Sequence, residues 1–147
     1  MKVIFLDFDG VTHPVGCEEI LEFCFLPNIQ NTIKTYLGEW KIVISSGWKN
    51  LYSTSFLKSF FSSDIKKHIY GVTPSIPFDN LSYAKNRGKE IDKFLFDHKV
   101  EKYIIIDDKP QFLESSHLKF TIVPMSNKGF TDECRNDFLL LIKSIGE

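Results

Sequence analysis

Ile4-Phe5-Leu6-Asp7-Phe8-Asp9-Gly10-Val11 decides how the chain folds. An apolar run that opens at residue 2 stops at a carboxylate, meets a second carboxylate two residues later, and turns at a glycine. The run 2–6 is apolar nearly throughout, as a strand buried on both faces is. Comparable runs occupy residues 41–44, 68–72, 102–106 and 119–123. Helical patterns lie between them. Ile29, Ile33 and Leu37 recur at four-residue spacing after Pro27, which helps to start a helix. Residues 51–61 read as a second helix with Asn50 as N-cap, and Phe56, Phe60 and Phe61 as its core face. A third runs from about residue 87 to 98, with Ile91 and Leu95 on one side. Thr131-Asp132-Glu133 starts a fourth, which carries Phe138, Leu141, Ile142 and Ile145.

Alternation of this kind predicts an α/β fold: one Rossmann-like three-layer domain with a mainly parallel five-stranded sheet and helices on both faces. The 147 residues suffice for one core, and 43% hydrophobic with 25% charged residues excludes a disordered chain. No repeat, low-complexity tract or Gly/Ser linker divides the sequence, so residues 1–147 read as a single domain. A formal net charge of −1 gives no case for a generally basic nucleic-acid or membrane-surface binder. Cys17, Cys24 and Cys134 form neither a metal spacing nor an even disulfide set, which reads as reduced thiols. Acidic Asp7 and Asp9 interrupt any leader-like segment, and no apolar run reaches membrane length. The expectation is a cytoplasmic protein with no membrane partner.

In parallel sheets ligands bind at the carboxyl ends of the strands. Those ends read Asp7-Phe8-Asp9-Gly10, Ser45-Ser46-Gly47 and Asp107-Asp108, and a basic cluster, Lys85, Arg87 and Lys89, opens a helix. A carboxylate directly after a buried strand is costly unless it is paired or bound to a cation. Four of them converging on one edge call for a hard divalent ion, and Mg²⁺ suits carboxylate, water and phosphate oxygens together. Asp7 and Asp9 can then share the work on a phosphate ester. One attacks phosphorus and forms an aspartyl-phosphate; the other protonates the leaving oxygen and later activates water.

The set resembles the haloacid-dehalogenase (HAD) superfamily of phosphohydrolases. The first motif is carried by Ile4 to Val11, and the second by Ile42-Val43-Ile44-Ser45. Arg87-Gly88-Lys89-Glu90-Ile91 resembles the third, with Arg in place of Lys, and Ile104-Ile105-Ile106-Asp107-Asp108 the fourth. The resemblance implies Asp7 as nucleophile and Asp9 as general acid/base with its carbonyl on the metal. It implies phosphate binding by Ser45 and Ser46 with Arg87 and Lys89, and a Mg²⁺ shell of Asp7, Asp9, Asp107 and Asp108. Which of Lys85, Arg87 and Lys89 fills the basic role stays open. So does which member of the acidic pair touches the metal, with Asp108 preferred. More narrowly, Ser45-Ser46-Gly47-Trp48-Lys49, Gly71-Val72-Thr73-Pro74, the Arg87 string and Gly129-Phe130-Thr131 are similar to the small HAD domains of "Swiss army knife" RNA-repair proteins. That likeness implies a phosphatase for phosphorylated nucleic-acid ends or nucleotides.

Blander readings weigh against single residues. Ser45 and Ser46 alone are strand-end caps, the basic trio alone a solvated helix face, and His13 a structural or solvent-facing residue. Trp40 reads as packing, while Trp48 sits near the active edge, where an aromatic ring can stack on a base. A receiver domain would place its acidic pair after the first strand, and no P-loop string is present. The stretches 10–40 and 48–84 have room for a flap and a helix or two, not for a cap domain. An open site favours a macromolecular end over a free sugar phosphate. The remaining alternatives are a silent HAD-like binding domain and a phosphatase for small metabolites or phosphoproteins.

Overall fold

The computed structural model describes residues 1–77 and 86–146. Five strands form one sheet: β1 (Lys2–Leu6), β2 (Trp40–Ile44), β3 (Ile69–Val72), β4 (Lys102–Ile106) and β5 (Thr121–Ile122). Their order is β3-β2-β1-β4-β5, and every neighbouring pair is parallel. Among the described residues five α-helices accompany them: α1 (Leu26–Ile33), α2 (Thr54–Lys58), α3 (Ser63–Lys66), α4 (Asn86–Asp97) and α5 (Asp132–Gly146).

The period-two alternation of strand side chains sorts the core into two layers. Ile4, Leu6, Ile42, Ile44, Ile104 and Ile106 point to one face, where Ile29 and Ile33 of α1, Leu57 of α2, Ile65 of α3 and Phe138 of α5 cover them. Val3, Phe5, Val43 and Ile105 point to the other, against Ile91 and Phe94 of α4. Both faces are therefore covered, which is why the strands are apolar at consecutive positions. The fold is the expected α/β three-layer sandwich.

Four local readings change. The helix expected over 51–61 is broken: a 3-10 turn (Gly47–Asn50) precedes α2, and α3 follows after a gap. The cap is Ser53, whose side chain accepts from Phe56 N, and not Asn50, whose Oδ1 accepts from the Ser75 hydroxyl. Replacing Ser53 by Ala should cost about 1 kcal/mol of stability, the usual value of an N-cap, in chemical denaturation. Of the three phenylalanines assigned to that helix's core face, Phe61 is buried but Phe56 is 44% exposed. Finally, the strand expected over 119–123 shrinks to β5, because Ser115–Phe120 is a 3-10 helix and the chain leaves the sheet edge after Ile122.

The strand order fixes where a ligand site belongs. The chain moves from β1 outward through β2 to β3, then returns to the opposite side of β1 with β4 and β5. The switch point lies between β1 and β4, and crevices form at the carboxyl ends of strands at such points. Among the described residues, the connections before and after β2 hold only short helices.

Candidate active site

Parallel register brings the residue after each strand to one edge. Leu6 pairs with Ile44 and with Ile106, so Ser45, Asp7 and Asp107 emerge side by side. Backbone bonds continue the ladder one step further: Asp7 N–H donates to Ile106 O (3.0 Å), Ser45 N–H to Leu6 O (2.8 Å), and Asp107 N–H to Ile122 O (3.1 Å). Thr73 joins the same edge, with its N–H on Ile44 O at 2.9 Å.

At the switch point Asp7, Asp107 and Asp108 gather, with one carboxylate oxygen from each within 4.8 Å of the other two, and all three are buried. Arg87, from the first turn of α4, reaches across them. Its Nη1 is 2.5 Å from Asp107 Oδ2 and 3.3 Å from Asp7 Oδ1. Asp107 also accepts from Lys109 N–H (2.9 Å), and Asp108 from the Ser126 hydroxyl (2.6 Å), with Lys109 Nζ 3.9 Å away. Burial works against the Arg87 charge, but the Asp7 and Asp107 carboxylates more than offset it and hold the guanidinium above its ordinary value. Burial first, and then the neighbouring Asp107 charge, push Asp7 well above the usual carboxylate range. Burial also raises Asp107, against the pull of Arg87.

One guanidinium on two of the three buried carboxylates, with a single ammonium 3.9 Å from the third, leaves negative charge uncompensated. The donor set is oxygen only, the chemistry of a hard divalent ion, and it fits Mg²⁺. Replacing Arg87 by Lys should keep the charge but lose one of the two contacts. The expected cost is about 1 kcal/mol, measured by thermal unfolding in chelator.

Asp9 stands apart from this cluster. Its side chain is 59% exposed and turns toward the loop after β1. Oδ1 meets His13 Nε2 at 2.8 Å, and Oδ2 accepts from the Trp48 indole N–H at 3.0 Å. The Phe23 N–H donates to His13 Nδ1 (3.2 Å), so that nitrogen is the acceptor and Nε2 carries the proton given to Asp9. The bond from His13 chiefly, with a smaller contribution from Trp48, holds Asp9 below its ordinary value. His13 is 3% exposed, so its position is structural and not solvent-facing. It is a positioning residue for Asp9.

The remaining sequence candidates divide. Ser45 is 1% exposed, and its hydroxyl has no partner among the described residues, which leaves it free for an anion. The Ser46 hydroxyl instead accepts from Trp48 N–H (3.2 Å) and caps the turn that presents Trp48. Lys89 makes no ion pair or hydrogen bond among the described residues. Two positions from Arg87 is about 200° around a helix, so the two cannot share the face toward Asp7. Lys85 lies outside the described residues. A cation not assigned to the basic role in the sequence is nearby: Lys49 contacts Glu90 and lies 3.0 Å from Thr73 Oγ1. Burial first, then Arg87, lowers its ammonium to about 8, with Asp7 acting in the opposite direction. Its contact with Glu90 also favours the charged form. Lys49 and Ser126 were missed as site residues. Lys49 follows the second motif closely, whereas nothing in the spacing marks Ser126.

A parallel sheet ordered 3-2-1-4-5 with this acidic edge defines a HAD-type domain. Comparison with family models gives the particular branch: residues 3–134 match the HAD domain in Swiss Army Knife RNA repair proteins, and the chain belongs to that family. Neither the curated proteins nor the solved structures contain a match. No helix among the described residues is long and apolar enough to cross a membrane.

Proposed function

We propose that the chain, acting as one domain over residues 1–147, is a Mg²⁺-dependent phosphatase for phosphorylated nucleic-acid ends or nucleotides, working through an aspartyl-phosphate. The observation that carries this reading is the buried trio of Asp7, Asp107 and Asp108 at the switch between β1 and β4. Family membership supports the nucleic-acid substrate class.

Asp7, Asp107 and Asp108 are the side chains suited to hold Mg²⁺, with the Asp9 carbonyl a further ligand by family resemblance. When bound, the ion neutralises charge on the phosphoryl oxygens and on the attacking carboxylate. Asp7 attacks phosphorus through a carboxylate oxygen, and the bond from phosphorus to the ester oxygen breaks. Asp9 gives that leaving oxygen its proton. A water then attacks the phosphoryl group on Asp7, Asp9 takes the water's proton, and phosphate departs with Asp7 restored. The hydrogen bonds from His13 and Trp48 hold Asp9 as a carboxylate, the form needed for the second half. A negatively charged ester arriving beside Asp9 favours the protonated form needed for the first. The Ser45 hydroxyl and the Arg87 guanidinium supply hydrogen bonds to the phosphoryl oxygens.

Phosphate release tests this, with Mg²⁺ and with chelator, from 3′- and 5′-phosphorylated oligonucleotides, mononucleotides and small sugar phosphates. The expected result is metal-dependent release, strongest from a nucleic-acid end or a nucleotide. Efficient turnover of sugar phosphates alone would move the substrate class to small metabolites. A well-folded protein that releases nothing from any of them would contradict the enzyme reading and favour a binding domain.

A further inference from the structure

Next to the Asp9 carboxylate the fold opens a second cleft of about 470 Å³, lined by Glu19, Glu22, Trp48, Tyr52, Phe56 and Phe60. Its size falls within the range of small-molecule sites. The cleft is not leftover core, because Tyr52 and Phe56 are each 44% exposed. Its rings form a continuous surface, with Trp48 to Tyr52 at 5.4 Å, Tyr52 to Phe56 at 4.9 Å and Phe56 to Phe60 at 5.2 Å. That surface is backed by a second layer. Phe23 stacks on Phe60 at 4.0 Å and meets Trp48 edge-on at 5.4 Å, and Phe8 meets Trp48 at 5.8 Å. The rings are therefore held in place before anything binds.

We infer that this cleft is a nucleobase pocket, which holds the base of the nucleoside whose phosphate ester sits at Asp7. The inference rests on the phosphatase reading and names the group that reading leaves unspecified. Three observations select the occupant. Aromatic faces partly open to solvent stack on flat π-systems, and every base offers one. The acidic rim residues of the cleft, Glu19 and Glu22, accept hydrogen bonds from the amino and imino N–H groups of a base edge. The same charges repel phosphate, so the cleft takes a base and not a continuing phosphodiester run. Continuity with the reaction supplies the third. Asp9, the proton donor to the leaving oxygen, lines this cleft and is hydrogen-bonded to Trp48, one of its rings, so the cleft is on the leaving-group side. The leaving group is then the nucleoside itself.

Binding and turnover are measured side by side on the full chain. Tryptophan fluorescence follows binding of adenosine 3′- and 5′-monophosphate, ribose 5-phosphate and inorganic phosphate in chelator. Trp48 faces the cleft, while Trp40 is buried at 3% exposure and serves as a constant background. A nucleotide is expected to bind at least tenfold more tightly than ribose 5-phosphate and to quench Trp48. In Tyr52→Ala and Phe56→Ala proteins the ratio of nucleotide to ribose-phosphate affinity should fall several-fold, and the corresponding ratio of kcat/KM should fall with it. Glu19→Gln with Glu22→Gln alters only rim residues and should reduce the same ratio without removing a ring. Equal binding of nucleotide and ribose 5-phosphate overturns the inference even where both are hydrolysed. Base-dependent quenching with no phosphate release from any ester would sink the phosphatase reading and leave the pocket standing.

Discussion

An Asp7→Asn protein is expected to lose phosphate release by at least about a thousand-fold while folding as well as the parent, or better. The loss follows from the role: an amide oxygen is a poor nucleophile, and removing a nucleophile leaves only the contribution of binding and positioning groups. The retained stability follows from the surroundings. Asp7 is 4% exposed beside two other buried carboxylates, and its pKa is raised well above the ordinary value, first by burial and then by Asp107. A raised folded pKa means that below the unfolded value the carboxyl costs nothing extra. As pH rises through the folded value, stability is lost, because the native state must give up a proton it holds more tightly than the unfolded chain does. Asn carries no such penalty, and Arg87 keeps its closer partner, Asp107. In chelator, thermal unfolding at pH 5 to 9 should therefore favour the variant increasingly toward the alkaline end. Mg²⁺ should raise the melting temperature of the parent and raise that of the variant less. A variant much less stable than the parent at neutral pH would show that Asp7 is a structural residue of the fold.

The second large effect is expected at Gly10, with Ala substituted. Gly10 has φ +78°, in the left-handed region, where a non-glycine residue pays about 1–2 kcal/mol. The close approach matters more. A Cβ built at this position would sit 2.2 Å from Asp108 Oδ2 and 2.5 Å from its Cγ, so one of the two must move. The same Oδ2 accepts from the Ser126 hydroxyl, and Asp108 belongs to the acidic trio. The substitution therefore displaces a carboxylate from the cluster while straining the turn that orients Asp9. A stability loss of roughly 3 kcal/mol or more is expected, together with a loss of Mg²⁺-induced stabilisation. Unchanged Mg²⁺ stabilisation in Gly10→Ala would exclude Asp108 from the metal site.

Much of this site was legible because parallel strands make position after a strand equivalent to position at an edge. Asp7, Ser45 and Asp107 each follow an apolar run, and equal register places them together without further information. The side chains that tune the site were not legible in the same way. Asp9 was expected to face the other carboxylates, and its outward turn depends on His13 and Trp48, which come together only once the loop closes. Ser126 reaches Asp108 across a separation of 18 residues. Lys89 was avoidable, since helical phase alone separates it from Arg87. The broken helix around Ser53 reflects a local competition between a hydroxyl cap and helical continuation, which an apolar periodicity does not register.

The central claim, that Asp7 carries the phosphoryl group, is tested most directly by mass measurement of the protein after an acid quench during turnover. An Asp9→Asn protein and p-nitrophenyl phosphate suit the purpose. The p-nitrophenolate leaves without a general acid, whereas release of phosphate from Asp7 still needs the missing base, so the intermediate accumulates. One phosphoryl group on the peptide containing Asp7, present with Mg²⁺ and absent with chelator, is the expected result. Sustained Mg²⁺-dependent turnover with that peptide unmodified, or with the group on another residue, would contradict it.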